Sequence, residues 1–250
     1  MGDPRHGGGP PARADVIVYG RNPVREALRG RRGVHRVYAT ERGAREVWLG
    51  EVDVLIAEPY ELEERCGSPD HQGVCAEVQA YPYVAADSLL EPDDALVLCL
   101  DEVQDPHNLG AVCRVAEAAG CTGVVLPERR SAEVTPAVCR ASAGAVEHLS
   151  IARVRNLADW LGEAKQREAW VYGAAADARV PYHRLDYSGR VVLVLGSEGR
   201  GLRPRVADAC DEQVFLPSPG RVGSLNVSTA AAALVYGILQ FRRQGLDKGP

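Results

Sequence analysis

The stretch LPSPGRVGSLNVSTAAAALVYGILQ, Leu216–Gln240, runs from a polar loop straight into an apolar helix. Pro217, Pro219, Gly220 and Gly223 set an irregular backbone. Ser224 and Asn226 then stand at the helix entry, where one capping residue is enough. The surplus of polar and glycine positions points to a loop that also holds a ligand. From Val227 onward the helix is apolar on nearly every side, the pattern of a core helix or of one at a subunit interface.

Working back from this stretch, apolar strands and helices alternate. The strand signals are LVLCLD (96–101), GVVLP (123–127), LSIARV (149–154), WVYGAAA (170–176), VVLVLG (191–196) and QVFLP (213–217). Helices are expected over 109–119, 135–143, 156–167, 203–210 and 225–243. Continuous apolar strands separated by helices predict a parallel sheet covered on both faces, an α/β class. The front of the chain alternates on a smaller scale. DVIVYG (15–20) precedes NPVREALRG, with Asn22 as expected N-cap and Gly30 as terminator. VHRVYAT (34–40), a helix over 41–49, VDVLIA (53–58), an acidic helix near 59–66 and GVCAEVQAY (73–81) complete a small α/β domain. The divisions are a disordered tail over 1–13, a small domain over 14–81, a Pro- and acid-rich linker over 82–95, and a large domain over 96–244.

Composition narrows the function classes. The chain has 250 residues, 46% hydrophobic and 25% charged, and nothing in it reads as a membrane span or a secretory signal. Seven cysteines at scattered spacing, without a C-x-x-C pair, argue against disulfides and zinc and for a reducing cytoplasm. The six histidines offer no metal-ligand spacing, so no metal is expected. The net charge of −5 hides a split: residues 1–50 hold ten arginines and five acids, and residues 51–100 hold twelve acids and only Arg65. Arg21, Arg25 and Arg32, within GRNPVREALRGRRGVHR, could dock a phosphate backbone or merely form a solvated face.

In open parallel sheets ligands bind beyond the carboxyl ends of the strands. Three such loops are unusual. The first, DEVQDPHNLGAVCR (101–114), offers Asn108 as a helix cap or a polar site residue, and Arg114 beside an apolar stripe. The second, GSEGRGL (196–202), has three glycines around Glu198 and matches neither the dinucleotide fingerprint nor a Walker loop. The third is the opening stretch. No G-x-S-x-G elbow and no Cys/His signature supports a hydrolase.

In this order and spacing, DPHNLGAVCR, LVLGSEGRGL and LPSPGRVGSLNVSTAAA resemble the three motifs of the SpoU branch of SPOUT methyltransferases, which methylate ribose 2′-hydroxyls of RNA. ASAGAVEHL (141–149) is similar to a further family stretch. YGRNPVREAL and HQGVCAEV resemble the L30e/L7Ae-like substrate-binding domain of 23S rRNA guanosine methyltransferases. The resemblance implies an α/β fold whose C-terminal domain carries a deep trefoil knot (an α/β-knot). It implies S-adenosylmethionine as cofactor and a homodimer through the C-terminal helix and knot region. It also implies backbone contacts to the cofactor at Gly196, Leu216 and Leu225, with Ser224 and Asn226 shaping the loop. Asn108, Arg114, Glu198 and Asn226 match the polar site positions. Where many members have methionine after the proline of the third motif, this chain has Ser218.

For transfer to a ribose hydroxyl, the resemblance points to Arg114 as the activating group. A guanidinium stays protonated in proteins, so its role is to stabilise a developing alkoxide and anchor a phosphate. The most direct expectation is 2′-O-methylation of a guanosine in 23S rRNA. A tRNA guanosine enzyme, a resistance-type 23S rRNA adenosine enzyme and a catalytically retired RNA-binding protein are the alternatives.

Overall fold

The computed structural model describes residues 15–221, 223 and 225–246. The tail expected over 1–13 lies outside the described residues.

The front of the chain folds as β1 (Val16–Tyr19), α1 (Arg21–Arg29), β2 (Val34–Ala39), β3 (Val54–Ile56), α2 (Pro59–Cys66) and β4 (Val74–Val78). The strands order as β1-β4-β2-β3, with β4 antiparallel to both neighbours and β3 parallel to β2. Two local expectations are corrected. Helix α1 begins at Arg21 behind Gly20, whose φ of 93° suits glycine, so Asn22 lies inside the helix and does not cap it. In place of a helix over 41–49 there are two 3₁₀ turns, Gly43–Arg45 and Val47–Leu49. Gly43 is pressed against Gly73, where a Cβ would stand 2.2 Å from the carbonyl oxygen.

The larger sheet uses β5 (Leu96–Asp101), β6 (Gly123–Pro127), β7 (Ile151–Val154), β8 (Trp170–Ala174), β9 (Val180–Pro181), β10 (Val191–Gly196) and β11 (Glu212–Phe215). All seven are parallel, in the order β7-β6-β5-β10-β8-β11-β9. Its helices are α3 (Pro106–Ala118), α4 (Pro136–Ala141), α5 (Leu157–Gln166), α6 (Pro204–Ala209) and α7 (Val227–Leu246). Strand alternation divides the core. Leu96, Leu98 and Leu100 of β5 and Val191, Leu193 and Leu195 of β10 face α3, α4 and α7. Val97, Cys99, Val192 and Val194 face α5 and α6, against Leu157, Trp160, Leu161 and Val206. The apolar runs of the sequence thus reflect burial on both faces.

Helix α7 buries Val227, Ala231, Leu234, Val235 and Ile238, a stripe at helical spacing. Its last turns are pinned by Arg242, whose guanidinium donates to the carbonyls of Asp94, Ala95, Tyr187 and Gly189.

The two sheets share a core. Val18, Val24 and Ala27 belong to the same buried cluster as Leu98, Val112 and Cys139. Arg32 crosses the junction, and here the expectation of an RNA-contacting arginine fails. Its side chain is fully buried, its Nε donates to Glu147 Oε2 at 2.8 Å, and Nη2 pairs with Glu147 Oε1 and reaches Cys139 Sγ at 3.2 Å. Burial works against this charge, but the hydrogen bonds and charges of Glu147 and Cys139 together outweigh it and raise the guanidinium pKa. Tyr81 adds a bond from its hydroxyl to the Leu149 carbonyl, 2.5 Å. Glycine makes the approach possible: a Cβ on Gly30 would lie 2.8 Å from the Glu147 Cβ.

The segment 82–95, expected as a linker, joins the sheets but is not a free tether. Val84 bridges to Ala152 beside β7, and Leu89 and Leu90 are buried under the α5 face. Its prolines and acids face outward while its apolar residues fill the core, a distinction that composition does not carry.

Candidate active site

Strand β10 lies between β5 and β8, while the chain leaves β5 in the other direction toward β6. The β5/β10 boundary is therefore where the strand order reverses, the usual place for a ligand crevice in an open α/β sheet. Asp101 and Gly196 end the two strands side by side.

The first loop turns into α3 at Asp105, whose Oδ1 accepts from His107 N at 2.8 Å, with Pro106 at the first helical position. Asp105 does the capping, so Asn108 is free of it. The Asp-Pro pair was the signal for this in the sequence. Asn108 Nδ2 donates to Glu198 Oε1 at 2.9 Å.

The second loop doubles back on itself. Ser197 bridges to Gly201, and Gly201 N donates to Ser197 O at 2.9 Å. Gly199 and Gly201 take φ of 78° and 69°, and Glu198 rides on the exposed tip. Gly196 permits the closure, because a Cβ there would lie 2.2 Å from the Gly201 carbonyl carbon. Gly196→Ala is therefore expected to open the hairpin, at a cost of about 1–3 kcal/mol as in other overpacked sites. Isothermal titration with S-adenosylmethionine checks it: affinity weaker by about fivefold or more is expected, where 1.4 kcal/mol corresponds to tenfold.

The third loop leaves β11, two strands away from β10, and must cross the end of β8 to reach the crevice. It does so. Asn226 Nδ2 donates to Glu198 Oε1 at 2.5 Å and to Asn108 Oδ1 at 2.9 Å. Asn226 Oδ1 meanwhile accepts from Ser228 N at 2.8 Å and caps α7. One asparagine starts the helix and closes a triangle with the other two loops, which explains the polar surplus at that junction. Beyond Leu216, which packs against the core, the described residues of the loop are exposed up to Leu225. Gly220 and Gly223 have nothing within 4 Å of a Cβ position, and Leu225 is exposed. Among the described residues, Leu216–Leu225 make no backbone–backbone hydrogen bond. Open peptide groups next to an exposed apolar side chain suit an adenosyl group, which offers polar edges and an apolar ring face. Ser224 lies outside the described residues.

Arg114 is not part of the triangle. It lies six residues beyond Asn108 on α3, about 9 Å along the axis at 1.5 Å per residue. It shares the exposed helix face of His107 and Ala118, and among the described residues it has no hydrogen-bond or ion-pair partner. Arg21 and Arg25 remain on the surface of α1, where they pair with Glu46 and Glu26.

One pair beneath the site escaped the sequence reading. Asp101 is completely buried, and its carboxylate accepts from Arg203 N at 2.8 Å and Arg203 Nε at 2.7 Å. The pair ties the exit of the second loop to the end of β5. An acid closing the otherwise apolar strand LVLCLD was the one local signal. Desolvation pushes the buried Cys139 thiol up to about 12. Among the described residues, no cluster of His, Cys, Asp or Glu is placed to hold a metal, and no helix is long and apolar enough to cross a membrane.

Comparison with known proteins gives this geometry a family. Residues 95–236 match the SpoU rRNA Methylase family, and residues 17–84 match the family of RNA 2′-O ribose methyltransferase substrate-binding domains. The chain belongs to the SpoU family of RNA methyltransferases. A Bacillus subtilis protein named for the TrmH family of tRNA/rRNA methyltransferases is 37% identical over 90% of this chain and 95% of its own. The SpoU methyltransferase AviRb from Streptomyces viridochromogenes, solved with AdoMet, superposes with a TM-score of 0.78 at 25% identity, covering 92% of this chain and 91% of that one. The TrmH/SpoU tRNA-modifying enzyme of A. aeolicus matches less: TM-score 0.56 at 26% identity, over 63% of this chain and 80% of that one. This SpoU enzyme therefore has the α/β-knot fold, uses S-adenosylmethionine and methylates ribose 2′-hydroxyls of RNA.

Proposed function

We propose that this SpoU methyltransferase modifies a guanosine of 23S rRNA. The observation that carries the reading is the small N-terminal domain, of the substrate-binding type and packed against the catalytic domain through a shared core.

In this reading Gly196, Leu216 and Leu225 hold the cofactor through their peptide groups, and Ser224 and Asn226 shape the third loop. S-adenosylmethionine supplies the methyl group. Asn108, Glu198 and Asn226 keep the three loops in one arrangement. Arg114, exposed and unpaired among the described residues, stabilises the charge that develops on the 2′-oxygen and holds the neighbouring phosphate. Arg21 and Arg25 contact phosphates of the RNA. The enzyme works as a homodimer through α7, whose Tyr236 is exposed.

The test combines purified protein, methyl-labelled S-adenosylmethionine and protein-free total RNA from an unmodified source. Label recovered as 2′-O-methylguanosine in 23S rRNA is the expected result. Label in tRNA, or on another nucleotide of 23S rRNA, overturns this substrate assignment.

A further inference from the structure

Strand β3 is the free edge of the small sheet, paired only with β2. Both helices of that domain pack over β1 and β4, so they lean away from this edge. What remains is an apolar surface. Val47 in the turn before the strand is 95% exposed, Leu55 and Ile56 in the strand 47% and 59%, and Tyr60 at the start of α2 68%. Half of the large exposed hydrophobic side chains of the described residues fall within these fourteen positions. Leu55 and Ile56 point to opposite faces of the sheet, so the edge is uncovered on both sides.

Along β3 and the first turns of α2 the charge is of one sign, with Arg42, Arg45 and Arg65 at the margins. From Glu51 to Glu64 there are six acids and no basic residue. Glu51, Asp53, Glu58, Glu63 and Glu64 are exposed, and none has an ion-pair partner among the described residues. Exposed edge strands present unpaired peptide groups that recruit another strand. Here the acids decide which strand. They repel the phosphates of RNA, and they repel the same edge of a second copy, since like charges across an interface oppose association. An extended segment of opposite charge is attracted on both counts.

We infer that β3 is a docking site for an extended, basic segment of another protein, added as a fifth strand with apolar side chains on Leu55, Ile56 and Tyr60 and with lysine or arginine beside Glu51, Asp53 and Glu58. Arg21 pairs with Glu46 beside Val47 at the margin of this surface, and the β3 strand itself reads the basic protein. This site is independent of which RNA is methylated.

The experiment uses the full chain and two fluorescein-labelled ten-residue peptides, one alternating lysine with valine and one alternating glutamate with valine, followed by fluorescence anisotropy. Saturable binding of the lysine peptide, at least roughly tenfold tighter than the glutamate peptide, is expected. The double variant Leu55→Ser/Tyr60→Ser keeps every charge and is expected to weaken the lysine peptide about tenfold, which separates docking from general attraction to an acidic protein. Glu51→Gln/Asp53→Asn is expected to do the same. Methylation of protein-free RNA by all these variants stays at the level of the parent chain, so a failure here is distinct from a failure of the substrate assignment. Equal binding of the two peptides, no saturable binding, or indifference to Leu55→Ser/Tyr60→Ser overturns the inference. Displacement of the peptide by an RNA oligonucleotide would assign the face to RNA. Self-association lost in the serine variant would assign it to a second copy.

Discussion

Replacing Arg114 with alanine lowers kcat by about 10²–10³-fold, the usual cost of removing one electrostatic donor from a developing oxyanion. Binding of S-adenosylmethionine, measured by titration calorimetry, stays within about twofold, because a shift of 1.4 kcal/mol is needed for tenfold. The reason lies in where the side chain sits. It is exposed on α3, about 9 Å along the axis from Asn108, and it contributes to none of the bonds that hold the three loops. Nothing in the loop arrangement depends on it. Arg114→Lys is expected to recover only part of the rate, since an ammonium keeps the charge but not the planar fork that suits phosphate. If cofactor affinity falls as far as turnover, Arg114 supports the loops, and the catalytic assignment is wrong.

Arg32→Ala is the second large effect, and it acts on stability. The substitution leaves the Glu147 carboxylate buried without its partner, and breaking a buried pair from one side costs about 3–5 kcal/mol. Urea denaturation monitored by circular dichroism reads this as a lower midpoint with little change in slope. The companion variant Arg32→Met/Glu147→Leu removes both charges and fills the same space. Such replacements are neutral or stabilising in other proteins, so most of the loss is expected to return. Failure of the double variant to recover would mean that Cys139 and Gln79, the other acceptors of Arg32, hold the junction. Either way, an arginine that looks like part of a phosphate-binding run in the sequence proves to be a bolt between the two sheets.

That case shows what the sequence could and could not convey. The large sheet was legible because its strands are buried on both faces, and a continuous apolar run of strand length fits little else. The three loops were legible as a set, since glycine spacing and polar surplus are visible in the linear chain. Arg32 was not, because its partner lies 115 positions away, and nothing local distinguishes a buried arginine from its exposed neighbours Arg29 and Arg31. Asn22 and the helix expected over 41–49 failed for a related reason. Gly20 and Gly43 fix the backbone there through contacts with Gln72 and Gly73, which belong to another part of the chain. The capping role offered for Asn108 was a different kind of error, since Asp105-Pro106 was in plain view and is the stronger start signal.

The triangle of Asn108, Glu198 and Asn226 also sets an order in time. Its corners are 90 and 28 residues apart along the chain, and its long side spans 118. Contacts between such distant residues form late, after the pairings that need less of the chain to be gathered. Strands β5, β6 and β7 are close in sequence and can assemble while α7 is still undocked. A molecule caught at that stage has three of the seven strands of its larger sheet and none of its site. The site is also the first thing to be lost when α7 frays. A cofactor held by the second and third loops, as proposed, binds only the finished form, and so shifts the balance toward it by mass action.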